Sequence, residues 1–93
     1  MAEDKRNLKV TIRNRLGLHA RAAGKFRNLA EQFRSQIMVI HGHATVDAKS
    51  VLGLMALEAS KGTELILRAE GPDAEPALKA LAGLIEQRFG ESE

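Results

Sequence analysis

The hydrophobic periodicity of the chain changes several times, and these changes constrain the fold more than any other feature. Leu8, Val10 and Ile12 alternate with polar residues, which is typical of a strand with one buried face. Over residues 20–33 the apolar residues recur every three or four positions instead, which predicts an amphipathic helix. Gly17 lies between the two patterns and marks the break between strand and helix.

The remainder of the chain continues to alternate between these two patterns. Residues 37–41 and 44–46 predict two strands joined by a tight turn at Gly42. The apolar run 51–57 follows Ser50, a residue type favoured at helix N-caps, and predicts a short helix. Residues 65–69 predict a fourth strand. A last helix is expected after Asp73, its predicted N-cap, with Phe89 on its apolar face and Gly90 at its end.

The resulting order, β-α-β-β-α-β-α, predicts an α+β fold in one domain covering residues 1–93. We expect a four-stranded antiparallel, open-faced sheet with three helices on one face. Met38, Ile40 and Ile66 would then lie on the open face. A domain of this size buries only ~60% of its unfolded surface, so any chemistry is expected at the surface rather than in a deep cleft.

Composition excludes several classes of protein. The chain has no cysteine, which excludes disulfides and thiolate metal sites. His41 and His43 could face the same way on a strand but lack further ligands, so we expect no metal and no cofactor. Residues 1–6 lack the apolar core of a signal peptide, and no apolar run approaches the ~20 residues of a membrane span. We therefore expect a cytoplasmic monomer without membrane insertion.

The charge of the chain is unevenly distributed. Residues 1–35 hold nine Lys/Arg and three Asp/Glu, whereas residues 36–93 hold five and nine. A basic first helix would attract phosphate or an acidic protein partner. A nucleic-acid-binding module is the alternative from another class, but the chain has no Tyr or Trp and its three Phe lie at helix-core spacing. We expect neither a nucleic-acid partner nor, without a Gly-rich nucleotide loop, a free-standing enzyme.

His19 falls where the first strand gives way to the N-terminus of the first helix. The first backbone N–H groups of a helix have no intrahelical partner, and the helix dipole places about +0.5 charge there, which favours phosphate. The same field disfavours imidazolium, so the ring should be neutral and able to attack phosphorus through a free lone pair. Arg21 could add charge-assisted hydrogen bonds to the phosphoryl group. By itself the motif is also compatible with an ordinary surface histidine.

Three segments together resemble one protein family. They are residues 16–21 (LGLHAR), residues 49–55 (KSVLGLM) and residues 59–62 (ASKG). With the order of elements, they are similar to HPr, the histidine-containing phosphocarrier protein of the bacterial phosphoenolpyruvate-dependent phosphotransferase system. The resemblance covers about residues 8–89. It implies a carrier that accepts a phosphoryl group from Enzyme I and passes it to a protein such as an Enzyme IIA-type domain.

The resemblance also implies roles for individual residues. His19 would be phosphorylated on Nδ1 and Arg21 would stabilise the phosphate. Ser50 matches the position that a dedicated kinase, HPr kinase/phosphorylase, phosphorylates in some lineages; its hydroxyl is also expected to cap the short helix. The predicted docking surface for partner proteins is made of Ala20, Arg21, Val51, Leu52 and Met55, with Leu54 and Leu57 filling the core instead.

The chain departs from the common family pattern after the histidine. Ala22 stands where proline is usual, and since alanine is an excellent helix former the phosphate site should be retained. The alanine form and the ending at residues 86–91 look more like proteobacterial variants, several of which serve a nitrogen-related regulatory branch. Sugar transport and regulation therefore both stay open at this point.

Overall fold

The computed structural model describes residues 5–93, and its elements follow the predicted order. Residues 1–4, part of the stretch interpreted as lacking a signal peptide, lie outside the described residues. The elements are β1 (Lys5–Thr11), α1 (Ala20–Ala30), β2 (Gln36–His41), β3 (Ala44–Asp47), α2 (Val51–Ala56), β4 (Glu64–Glu70) and α3 (Ala74–Glu86). A short 3-10 turn, Arg88–Gly90, follows α3.

The four strands form one antiparallel sheet in the order β1-β4-β2-β3, and the predicted α+β class is confirmed. Val39 in β2 lies opposite Leu67 in β4, and both side chains are fully buried. The side chains that alternate with them point to the open face, where Ile66 is 38% exposed. The three helices cover the other face, so the ends of the strands and helices remain available to hold a site.

The core lies between the sheet and the helices because each helix buries one apolar stripe. Phe26 of α1, Leu54 of α2 and Leu81 of α3 are each at most 2% exposed. Burial of a side chain of this size stabilises the fold by about 1.5–3 kcal/mol. The N-terminus of α1 and the short helix α2 are thereby fixed to the same body.

Helix α1 is shorter than the periodicity predicts, ending at Ala30 rather than at Phe33. The N–H groups of Gln32 and Phe33 bond three residues back instead of four, so the chain tightens into a turn. Ser35 follows, fully buried, with its N–H donated to Asp73. Because Ser35 is hydrogen-bonded to Asp73, the chain turns away from the helix axis before residue 35, and α1 ends at Ala30.

Asp73 is the N-cap residue of α3, as predicted, but its side chain makes no capping hydrogen bond within this helix. Its carboxylate instead accepts hydrogen bonds from the N–H of Arg34 at 2.9 Å, the N–H of Ser35 at 2.9 Å and the hydroxyl of Ser35 at 2.6 Å. These bonds, the Ser35 hydroxyl first, lower the pKa of Asp73 from 3.8 to about 2. Asp73 therefore ties the start of α3 to the turn after α1.

The last helix also ends early, at Glu86, and the expectation that it continues through Phe89 is wrong. Arg88 and Phe89 adopt left-handed backbone conformations, with φ of 58° and 55°. The turn nevertheless buries Phe89 completely, so the sequence pattern predicts its burial but not its conformation. Because the chain turns back here, residues 91–93 lie beside the N-terminus of α1.

Candidate functional site

His19 is the N-cap residue of α1, as predicted, with extended backbone angles (φ −74°, ψ 178°). Its carbonyl accepts the Ala23 N–H at 2.8 Å, while its side chain makes no capping bond. The preceding loop is held in place by the N–H of Leu18, which donates to the carbonyl of Ala59 at 2.9 Å. The imidazole is 28% exposed and therefore accessible to a reacting group.

The ring of His19 contacts a carboxylate that the sequence pattern did not predict. Its Nε2 lies 2.5 Å from Oε2 of Glu91, and Oε1 of Glu91 accepts a hydrogen bond from Nδ2 of Asn14 at 2.9 Å. The Asn14 amide is the main cause that holds the pKa of the Glu91 carboxyl below its ordinary value; partial burial opposes it and His19 adds to it. The imidazole of His19 and the Glu91 carboxylate are therefore in direct contact at the N-terminus of α1.

A sequence signal for Asn14 existed, whereas the signal for Glu91 was weak. Every second residue from Val10 onward faces the core, and this alternation continues past the end of β1 through Ile12 to Asn14. It therefore predicts a polar residue at a buried position. For Glu91 the only indication was Gly90, which marks a turn after the last helix without specifying where the chain goes.

A shallow cleft of about 190 Å³ opens beside the imidazole. Arg21, for which phosphate stabilisation is predicted, lines it, and its exposed side chain makes no hydrogen bond or ion pair within residues 5–93. Arg15, by contrast, forms an ion pair with Glu93, with 3.3 Å between Nε of Arg15 and Oε1 of Glu93. The full lining is Arg15, Leu16, His19, Arg21, Glu91, Ser92 and Glu93.

Ser50 caps α2, as predicted, its Oγ accepting the Gly53 N–H at 3.0 Å. Leu52 is 82% exposed and Met55 38% exposed. Leu54 is buried, as expected for a core residue of this helix.

Two other predicted members of the docking surface differ in exposure. Ala20 is exposed at the start of α1. The expectation that Val51 lies on the outer side is only partly correct, because Val51 is half-buried and packs against the core. Arg21 and the exposed residues of α2 belong to helices that pack against each other.

The remaining residues singled out in the sequence lie elsewhere. His41 and His43 are exposed at the turn between β2 and β3. Within residues 5–93 no three metal-ligating side chains of His, Cys, Asp or Glu come together. Phe26 and Phe89 are buried and Phe33 packs against the core. None of the helices described is both long enough and apolar enough to cross a bilayer.

Comparison with known proteins gives one consistent result. The family model described as PTS HPr component phosphorylation site matches residues 7–87. The phosphocarrier protein HPr of Neisseria meningitidis is 46% identical over 84 residues, which cover 90% of this chain and 94% of the relative. The phosphocarrier protein NPr of Shewanella violacea is 45% identical over 83 residues, which cover 89% and 91%.

Solved structures agree with the sequence relatives. The crystal structure of HPr-C-His from Thermoanaerobacter tengcongensis superposes with a TM-score of 0.91 at 45% identity, covering 95% of this chain and 99% of that chain. A histidine lies at a helix N-terminus, the family model matches nearly the whole chain, and the solved structure superposes closely. The chain therefore belongs to the HPr family and is a phosphocarrier protein of the phosphotransferase system rather than an enzyme.

Proposed function

We propose that Nδ1 of His19 is the atom that carries the phosphoryl group. The donor is the phosphohistidine of Enzyme I, and the acceptor is a protein such as an Enzyme IIA-type domain. The lone pair of Nδ1 forms the new N–P bond while the donor's N–P bond breaks and leaves its electron pair on the donor nitrogen. In the next transfer the N–P bond at His19 breaks in the same way.

The observation that carries this proposal is the state of the two ring nitrogens. Nε2 is hydrogen-bonded to Oε2 of Glu91 at 2.5 Å, whereas Nδ1 makes no hydrogen bond within residues 5–93. The imidazole is also partly exposed beside an open cleft. Nδ1 is therefore the ring atom that an incoming phosphorus can reach.

The surroundings of His19 suit a phosphoryl group. The first N–H groups of α1 have no intrahelical acceptor, and the dipole of this eleven-residue helix favours negative charge at its start. Arg21, unpaired within the described part of the chain, adds a guanidinium on the same side. We infer that the phosphate is held by backbone N–H groups and by Arg21 in charge-assisted hydrogen bonds.

We propose that Enzyme I and the acceptor dock on an apolar centre made of Leu52 and Met55. Ala20 and Arg21 extend it toward His19, and Val51 contributes only its exposed edge. An exposed apolar centre with a basic rim is the usual composition of a protein interface. Ser50 lies next to this surface and is the proposed target of HPr kinase/phosphorylase.

The regulatory, nitrogen-branch alternative has no observation in its favour. The relatives named HPr and NPr are nearly equal in identity, at 46% and 45%. We therefore propose the general carrier role, in which the phosphoryl group passes through His19 whichever acceptor receives it.

Labelling with Enzyme I and phosphoenolpyruvate tests the assignment. We expect one acid-labile, base-stable phosphate per chain in the wild type and none in His19→Ala. His41→Ala and His43→Ala are matched controls, since both histidines are exposed and neither lines the cleft beside His19, and both variants should be labelled normally. Label that persists in His19→Ala overturns the proposal.

A further inference from the structure

Asn14, Glu91 and His19 form a connected chain of hydrogen bonds whose purpose the carrier role alone does not explain. We propose that Asn14 and Glu91 are positioning residues that keep a proton on Nε2 of His19 throughout phosphoryl transfer. In the unphosphorylated ring, Nδ1 then has the free lone pair that attacks phosphorus. The kinetic part of this inference rests on the proposed function, whereas the part about the unphosphorylated ring does not.

The orientation of the Asn14 amide follows from its partners. Nδ2 donates to the carbonyl of Gly17 at 2.8 Å and to Oε1 of Glu91 at 2.9 Å, and both partners only accept. The other amide atom, Oδ1, is buried and has no hydrogen-bond partner within residues 5–93. Leaving a buried acceptor unsatisfied costs stability, so Asn14 fits a residue retained for its two donors.

The position of the proton on His19 follows from the carboxylate. With its pKa below the ordinary value, Glu91 is ionised at neutral pH and can only accept. Its Oε2 lies 2.5 Å from Nε2, and an acceptor at this distance requires that Nε2 donates an N–H. A neutral imidazole has one proton, so Nδ1 then carries the lone pair.

Glu91 is held in place before any reaction occurs. On one side, Nζ of Lys25 donates to the carbonyl of Phe89 at 2.7 Å, and the ring of Phe89 is fully buried. On the other, the N–H of Arg15 donates to the carbonyl of Glu93 at 2.5 Å. The carboxylate therefore lies between two points at which the backbone is hydrogen-bonded to the rest of the described chain, which helps to order it before the partner binds.

The proton on Nε2 remains in place through both transfers. When Nδ1 bonds to phosphorus, the ring becomes a phosphoimidazolium, and the carboxylate stabilises this cation. When the N–P bond later breaks, its electron pair returns to Nδ1 and leaves a neutral ring with the same proton. A protonated ring is the better leaving group, so Glu91 keeps the phosphoryl group easy to transfer.

Other charges face this ring and enter the same balance. Arg21 lines the cleft, and Lys25 adds positive charge near Glu91. Arg15 and Glu93 form an ion pair with each other, so their opposite charges largely cancel at the ring. The only carboxylate in direct contact with the ring in the described part of the chain is Glu91, so its removal is the informative change.

The first experiment measures the ring proton directly in the unphosphorylated protein, without Enzyme I. In ¹⁵N-labelled protein at neutral pH we expect a one-bond Nε2–H signal for His19 that exchanges slowly with water. Glu91→Gln should accelerate this exchange by about tenfold or more, because the charged acceptor is lost. Glu86→Gln is the matched control: it removes one charge from α3, where Glu86 pairs with Arg13 and not with His19. Equal exchange in Glu91→Gln and the wild type overturns the inference.

The second experiment measures hydrolysis of the phosphorylated protein at neutral pH after Enzyme I is removed. Without the carboxylate a smaller fraction of rings is protonated, so phosphate loss from Glu91→Gln should be about threefold slower or more. Unchanged hydrolysis despite a lost Nε2–H signal overturns the kinetic part. Absence of labelling at His19 in the wild type would instead contradict the proposed function and leave the proton measurement standing.

Discussion

The backbone of Gly17 packs directly against the carbonyl group of Ala59. A Cβ atom at Gly17 would lie 2.4 Å from that oxygen, and φ at Gly17 is +69°, in the left-handed region. The same oxygen accepts the N–H of Leu18, so the loop that carries His19 is fastened to the segment after α2. No side chain can be added at residue 17 without moving this loop.

Gly17→Ala should therefore both destabilise the fold and slow phosphorylation. The left-handed backbone and the contact with Ala59 together should cost about 2–4 kcal/mol. Gly24→Ala is the matched control, because Gly24 lies inside α1 and an added methyl group there would point into open space. It should stabilise by about 0.5–1 kcal/mol. Chemical denaturation compares the two, and equal stabilities would contradict the role of the Gly17 contact.

Local patterns predicted the parts of the site that depend on neighbours in sequence. His19 follows a strand and precedes a helical repeat, and Ser50 precedes an apolar run, so both N-cap positions could be inferred. The contact between His19 and Glu91 spans 72 residues along the chain. Nothing in the pattern around Glu91 encodes it, because it depends on the left-handed turn at Phe89.

The errors at the helix ends have the same origin. Periodicity predicts which side chains are buried, and Phe33 and Phe89 do contact the core. It does not separate a helix that continues from a turn that buries the same residue. In both places a long-range hydrogen bond favours the turn over a longer helix. After α1 the N–H of Ser35 donates to Asp73, and after α3 Lys25 donates to the carbonyl of Phe89.

Arg21→Ala should slow phosphoryl transfer with little change in stability. The side chain is exposed and unpaired within residues 5–93, so its loss removes phosphate contacts but no internal ones. We expect transfer about tenfold slower or more, and little rescue by Arg21→Lys, which lacks the bidentate geometry. Arg27→Ala, on the same helix but outside the cleft, is the control. Rates that match this control in both directions of transfer would exclude the role of Arg21.

Leu52→Glu should weaken binding to Enzyme I without unfolding the chain. Leu52 is 82% exposed, so a charged side chain there stays in water in the free protein but must lose water on docking. We expect binding about tenfold weaker or more and an unchanged circular dichroism spectrum. Thr45→Glu adds the same charge on exposed β3 and should bind normally. Unfolding of Leu52→Glu would contradict the exposure of this residue.

Asp73→Asn should change the acid stability of the protein. The folded pKa of Asp73, about 2, lies below its ordinary value of 3.8, so ionised Asp73 stabilises the fold above pH 3.8. This contribution is lost as the pH falls from about 4 through about 2. The variant should thus be less stable at neutral pH and show a flatter stability profile in this window. Glu64→Gln, at an exposed ion pair, is the control; an equally steep profile in Asp73→Asn would contradict the prediction.

A negative charge at Ser50 should inhibit the carrier without unfolding it. The Ser50 hydroxyl accepts the Gly53 N–H, and an aspartate can cap a helix equally well, so Ser50→Asp should keep or slightly raise the melting temperature. The added charge lies beside the exposed Leu52, where a partner that recognises a basic site is expected to be acidic. Phosphorylation of His19 by Enzyme I should therefore be much slower in Ser50→Asp, and less so at high salt, because salt screens the repulsion.

Ser50→Ala separates this charge effect from the loss of the cap. It removes the hydrogen bond to Gly53 and should lower stability by about 1 kcal/mol, but it adds no charge. Its phosphorylation rate should therefore stay near that of the wild type while its melting temperature falls, the reverse of Ser50→Asp. Melting curves and initial rates of labelling at low and high salt distinguish the two. Wild-type rates in Ser50→Asp at low salt would leave Ser50 with the single role of capping α2.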